Sequence, residues 1–338
     1  MTSIDSATLR SGNVDIHAHL LPAECYRIPT ADGSVDVAEI EGELHLGCTP
    51  IAVSGPQLSD VSLLLRDMDE HDIGVRVVSA PPYAFAVGAD AARAAEYATH
   101  TNDRLLDLLA PYPDRLLPLG VVPVQDADAA AAEMQRLAAA GVTGIAVPPV
   151  VGAAALGDHE LRHVLHSAAA ADLCVLVHPM QQPRPGFTAH YLQNLIGNPV
   201  ETASAIASIA LGGLFDIHPD LRIAFVHGAG AAPALLGRWD HGWRERDDVS
   251  ADCATVPSEV VRSHVYADSL THSDAAADLL QSVLDPDRLL LGSDYPFDMA
   301  DPDPVASARS RAFDLDRLRG NALRWLGLTR EPRSEGTT

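Results

Sequence analysis

The sequence predicts a distorted (β/α)8 barrel with a small β insertion after its first strand, and three observations carry that reading. Short apolar runs rich in Val, Ile and Leu alternate with Ala-rich stretches of helical spacing along all 338 residues. Those runs are continuously apolar rather than alternating, the pattern of a parallel sheet covered on both faces. Eight such strand–helix units count out to a closed barrel. A doubly wound open sheet is the main alternative, but no Gly-rich phosphate loop follows the first run.

Strands are expected at 13–16, 75–80, 116–121, 143–148, 174–178, 222–227, 263–267 and 288–293. Helices are expected at 59–73, 89–110, 127–140, 158–172, 199–216, 230–245 and 273–284. Residues 20–57 are too long for a simple connection and are rich in Gly, Pro and short apolar pieces. They are read as a small β insertion over the barrel mouth. The stretch 315–328 has helical spacing and would close the barrel; the polar segment Thr329 to Thr338 is expected to fray. No linker or short repeat divides the chain, so residues 1–338 are read as one domain.

Composition narrows the function. A net charge of -23 argues against nucleic acid as a partner, because phosphate binding needs a basic surface. An anionic substrate would need a local arginine pocket. Cys25, Cys48, Cys174 and Cys253 are scattered without a C-x-x-C, which suits a reducing cytosol. No signal-peptide pattern opens the chain and no run approaches about 18 apolar residues. A soluble cytoplasmic protein without membrane contact is expected. All 23 basic residues are arginine. The absence of lysine excludes a Schiff-base mechanism and a lysine-derived metal bridge.

The strand ends carry the chemistry. His17 and His19, in Val14-Asp15-Ile16-His17-Ala18-His19, stand two residues apart on a strand and so share a face. His178 ends the fifth run, His227 the sixth, and Asp294 follows the eighth. In such barrels chemistry sits at this rim. His17, His19, His178 and Asp294 make a three-nitrogen, one-oxygen ligand set suited to Zn2+, and with added waters to Mn2+ or Fe2+. His227 is either a fifth ligand or a general acid–base, and a free imidazole beside the metal suits the second role better. Tyr191, Phe297, Tyr83 and Phe85 are read either as lining for a planar substrate or as ordinary packing. His71, His100, His159, His163, His166 and His218 are expected to be solvated; His45, His190 and His272 lie in loops near the mouth without an assigned role.

Taken together the motifs form a series: Asp-x-His-x-His, Val-His-Pro, His-Gly-x-Gly with Gly-Arg-x-Asp-His-Gly, Gly-Ser-Asp-Tyr-Pro-Phe and Gly-Asn-Ala-x-x-x-Leu-Gly-Leu. From about residue 13 to 328 the chain resembles the amidohydrolase superfamily. Within it, the resemblance is to the branch of aminocarboxymuconate-semialdehyde decarboxylase and the 2-hydroxybenzoate-type decarboxylases. The resemblance implies one divalent metal, zinc first with manganese as the alternative, held by His17, His19, His178 and Asp294. It implies His227 and Asp294 as the catalytic pair. It also implies a homodimer in which Arg238 reaches the neighbouring subunit's substrate carboxylate; a surface pairing of Arg238 with Asp240 or Glu245 is the competing expectation.

Two departures bear on the substrate. The stretch Glu41 to Cys48 lacks the second substrate-binding arginine of related aminocarboxymuconate decarboxylases. Met180-Gln181-Gln182 and His190-Tyr191 stand where aromatic residues are frequent. The expected activity is non-oxidative decarboxylation of an aromatic or unsaturated carboxylic acid. The alternative is a hydrolase or hydratase that uses a metal-activated water on a lactone, amide or conjugated acid.

Overall fold

A computed structural model describes residue 7 and residues 9–329. Eight strands form one sheet in chain order: β1 (Asn13–His19), β2 (Ile73–Ser79), β3 (Leu116–Val121), β4 (Gly144–Val147), β5 (Cys174–Val177), β6 (Ile223–Phe225), β7 (Val265–Asp268) and β8 (Leu289–Leu290). Every neighbouring pair is parallel. The sheet closes on itself where Ile16 N donates to Leu291 O (2.9 Å), Asp294 N to His17 O (2.8 Å) and His19 N to Tyr295 O (2.8 Å). The fold is the expected distorted (β/α)8 barrel.

Period-two alternation sorts the strand residues into two layers. Leu117, Leu119, Ala146, Cys174, Leu176 and Ala224 belong to one buried cluster. Ile145, Val147, Val175, Val177, Ile223 and Phe225 join the other, against Met134, Leu137, Val164 and Ile206 of the surrounding helices. Both strand faces are therefore dry, which is why the runs read as continuously apolar.

The main helices are α1 (Val61–Glu70), α2 (Ala91–Leu109), α3 (Ala127–Ala139), α4 (Arg162–Ala170), α5 (Asn198–Leu211), α6 (Ala232–Glu245), α7 (Pro257–His264), α8 (Asp274–Val283), α9 (Pro304–Ser310) and α10 (Leu315–Trp325). Asp60, Asp90, Asp126, Ser273, Asp303 and Asp314 each cap a helix by accepting a backbone N–H of its first turn. Helices α7 and α9 escape the sequence pattern because each spans barely two turns, too short for a hydrophobic period to register. The tail from residue 330 onward lies outside the described residues. No helix among the described residues is long and apolar enough to cross a membrane.

The insertion is a four-stranded antiparallel sheet of Arg27–Thr30, Gly33–Ile40, Glu43–Leu46 and Thr49–Pro50. Ile28, Val37 and Leu44 pack into the cluster that holds Phe85 and Tyr97. Tyr97 Oη donates to Cys25 O (2.8 Å), and Arg93 holds the carbonyls of Thr30 and Gly33. The insertion is thus moored on α2 beside the rim.

The closing seam contains a buried ion pair. Asp15 is fully buried and accepts from His17 N (3.0 Å), Ser293 N (3.1 Å), Ser293 Oγ (2.6 Å) and Arg76 Nε (2.8 Å). Arg76, also fully buried, reaches Asp67 on α1 (2.8 Å) and lies over the Tyr295 ring. This strut joins the first and second strands to the segment that follows the last one. Removing one member of such a pair leaves an uncompensated buried charge, at a cost of about 3–5 kcal/mol. Arg76→Met is expected to lower unfolding stability by that amount in a urea titration; a loss below about 1 kcal/mol would contradict the strut's role.

Candidate metal centre

The structure brings His17, His19, His178, His227 and Asp294 together at the C-terminal rim. His17 Nε2 and His19 Nε2 each lie 3.1 Å from Asp294 Oδ1, and His178 Nε2 lies 3.7 Å from the same oxygen. His227 Nε2 approaches the other oxygen, Oδ2, at 3.3 Å. The ligand atoms of His17, His178, His227 and Asp294 all fall within 4.8 Å of one another. This group of three histidines and one aspartate suits a divalent metal. His17 and His19 are completely buried, whereas the His227 side chain keeps 19% of its surface exposed.

The opposite ring nitrogens fix the orientation. His178 Nδ1 lies 2.8 Å from the Pro179 carbonyl, which can only accept, so that nitrogen carries the proton and Nε2 presents a lone pair. His17 Nδ1 lies 2.8 Å from Asp268 Oδ2, and His19 Nδ1 3.1 Å from Ser79 Oγ. Such outer partners orient metal-binding imidazoles and raise their basicity. His17 Nε2 and His178 Nε2 are buried and lack a hydrogen bond of their own. Two buried ring nitrogens without a hydrogen bond, both facing one carboxylate oxygen, are an arrangement that a cation resolves.

The electrostatics point the same way. Burial drives His178 down to about 3 and also lowers His19. Burial pushes His17 down too, but Asp294 and Asp268 outweigh it and raise that ring to about 10. Burial pushes Asp294 up, yet His17, His178 and His19 hold its carboxyl well below the usual range. The pocket draws positive charge to one spot.

His227 reaches the centre through an unusual turn. The sequence places it at the end of a strand over 222–227, but β6 stops at Phe225. His227 (φ 56°), Gly228 (φ 58°), Ala229 (φ 63°) and Gly230 (φ 59°) then run successively through positive φ. Non-glycine residues in that region are strained and cluster at functional sites. Asp294 shares the feature (φ 66°). The turn is held by Gly228 N donating to Asp268 Oδ1 at 2.8 Å.

Other expected residues divide. The Phe297 ring centroid stands 5.4 Å from that of His19. Tyr191 is half-exposed; burial raises its phenol, aided by the charges of Asp298 and Asp294. Phe85 is buried core, and the Tyr83 hydroxyl is buried without a partner. Arg238 is exposed on α6, with no ion-pair partner among the described residues. Its expected surface pairing with Asp240 or Glu245 does not form among the described residues: Asp240 stands two positions away on the helix and turns instead to Ser258 N (2.9 Å), Ser258 Oγ (2.6 Å) and Arg244 (3.8 Å). Two histidines expected to be solvated instead meet each other, His166 Nδ1 lying 2.6 Å from His218 Nε2. Asp268 was not among the expected site residues, although it too ends an apolar run at this rim. Glu201 was also missed: fully buried, it accepts from Met180 N (3.1 Å) and Gln182 N (2.8 Å) and ties the loop after His178 to α5.

The amidohydrolase family matches residues 14–328. The chain belongs to that family. This amidohydrolase is 27% identical to 2-amino-3-carboxymuconate-6-semialdehyde decarboxylase of Dictyostelium discoideum over 337 residues, covering 94% of this chain and 92% of the relative. Its fold matches the apo form of Metarhizium anisopliae IDCase with a TM-score of 0.79 at 23% identity, over 95% and 98% of the two chains. It matches the dihydroxybenzoic acid decarboxylase of Polaromonas sp. JS666, solved with manganese and 2-nitroresorcinol, with a TM-score of 0.75 at 20% identity, over 95% and 98%.

The His227 turn also makes a stability claim. A Cβ on Gly230 would meet Pro199 O at 2.7 Å and Thr202 Cβ at 2.9 Å, at a φ that side chains resist. Gly230→Ala is expected to cost more than about 1 kcal/mol, read as an earlier midpoint in denaturant. A wild-type midpoint would contradict this account of the turn.

Proposed function

We propose that this amidohydrolase is a metal-dependent non-oxidative decarboxylase, a carbon–carbon lyase acting on an aromatic or unsaturated carboxylic acid. The observation that carries the reading is the convergence of three buried Nε2 atoms on Asp294 Oδ1, with a fourth, wetter imidazole on Asp294 Oδ2. The same site chemistry would permit hydrolysis or hydration, and the decarboxylase name of the Dictyostelium relative favours the first reaction. His17, His19, His178 and Asp294 hold one divalent ion in this proposal. Three imidazoles favour zinc; manganese in a purified preparation would contradict that choice. A bound ion supplies Lewis-acid stabilisation of oxyanion charge on the substrate.

His227 and Asp294 handle the proton. Delivered to the carbon that bears the carboxylate, that proton creates an electron sink. The carbon–carbon bond then breaks, its electrons return to the unsaturated system, and CO2 leaves. Each turnover consumes one proton and needs no lysine. Phe297 and Tyr191 flank the planar substrate. Arg238, unpartnered among the described residues, serves the substrate carboxylate of a second copy, so the working unit is a homodimer; sedimentation as a monomer would contradict this. The lack of an arginine in Glu41–Cys48 favours a less charged acid than aminocarboxymuconate semialdehyde. All four cysteines are unpaired, in keeping with a cytoplasmic setting that cell fractionation checks.

Metal analysis and CO2 release test the proposal together. About one divalent ion per chain is expected, lost or greatly weakened in His17→Ala and His178→Ala, with CO2 formed from hydroxybenzoates or muconate-type acids. Product without CO2 would favour the hydrolase or hydratase. His227→Asn should keep the metal and lose about 10²- to 10⁴-fold in turnover; near-normal turnover would remove His227 from the reaction.

A further inference from the structure

Asp268 ends β7 and is completely buried. Its two oxygens serve different parts of the centre. Oδ2 lies 2.8 Å from His17 Nδ1, while Oδ1 accepts from Gly228 N at 2.8 Å and from Leu270 N at 3.3 Å. A carboxylate is planar, so turning it toward one partner withdraws it from the other. We propose that Asp268 is a positioning residue that couples the two halves of the centre. It orients His17 toward the metal position and at the same time fixes the left-handed turn that carries His227.

A cap on the end of β7 would need only the bond to Leu270. Contact with three separate segments, two of them bearing site histidines, exceeds that need. The glycine of the Gly-Ser-Asp motif adds independent support. A Cβ on Gly292 would stand 2.7 Å from Asp268 Cβ and 2.8 Å from Oδ2. Gly292 is therefore the residue that leaves room for this carboxylate, two positions before Asp294. Gly228, for its part, has no space for a side chain, because a Cβ would meet Thr271 Cγ2 at 2.7 Å. The turn and the carboxylate are held against each other from both sides.

The inference rests on the decarboxylase reading, and its test separates the two. Asp268→Asn leaves one acceptor oxygen for two donors, His17 Nδ1–H and Gly228 N–H, so one of the two bonds is lost whichever way the amide turns. Gly292→Ala crowds the carboxylate without changing its charge, and serves if the first variant is too unstable. Zinc affinity of the holoenzyme is measured by chelator competition, and kcat and KM at saturating zinc. Both variants are expected to bind zinc about 10- to 100-fold more weakly. Both should also lose at least about tenfold in kcat with zinc saturating, at a KM near the wild-type value, because Asp268 touches no substrate and metal loading alone does not restore the His227 turn. A merely structural role would lower the unfolding midpoint without this split. Wild-type affinity and kcat in Asp268→Asn would overturn the inference and leave the decarboxylase reading standing. Weaker zinc binding with full kcat at saturation would overturn the coupling. A wild-type protein that binds no zinc would overturn the reading beneath it.

Discussion

Three imidazole nitrogens and one carboxylate oxygen meet at the C-terminal rim of this barrel, and the surrounding structure is arranged to bear that convergence. His17, His19 and His178 all turn Nε2 toward Asp294 Oδ1 while Nδ1 is occupied elsewhere. Crowding buried ring nitrogens around a buried carboxylate with incomplete hydrogen bonding costs several kcal/mol, which a cation among them offsets. The arrangement persists because each ring is fixed from behind by Asp268, Ser79 or the Pro179 carbonyl. The site is preorganised by partners that never touch the metal position.

Those partners are anchored in turn by the barrel's closure. First and last strands join through irregular pairing at Asp15–Leu291 and Ala18–Tyr295 rather than through a long ladder. Asp15 compensates by gathering Arg76, Ser293 and the His17 backbone at one buried point. The same seam carries His17, His19 and Asp294, so the position of these side chains depends on the bonds that close the barrel. Strain collects along this rim. Gln181, His190, Tyr191, His227 and Asp294 all have positive φ on loops that follow strands. Function takes precedence over local stability there.

Much of this was legible in the sequence. The apolar runs marked the strands because both faces are dry, and His17, His19, His178 and Asp294 were marked because each stands where such a run ends. His227 was legible as a residue but not as a conformation: a strand ending two residues early in a left-handed turn depends on contacts with Thr271 and Pro199, distant in sequence. Asp268 had the same local signal as His178, but one carboxylate after one apolar run does not reveal that its oxygens serve segments 251 and 40 residues away. Arg76 likewise gave no sign, because a lone arginine inside an apolar run is interpretable only once Asp15 and Asp67 are beside it. Local pattern determines elements and their ends; pairing across the barrel does not follow from it.

The most direct measurement is anomalous diffraction from crystals of the metal-loaded protein, recorded on either side of the absorption edge of the bound ion. The account expects one peak per chain, within coordination distance of the Nε2 atoms of His17, His19 and His178 and of Asp294 Oδ1, with Asp268 still bonded to His17 Nδ1. A peak outside that group, or full metal content with no peak at these four atoms, would contradict it.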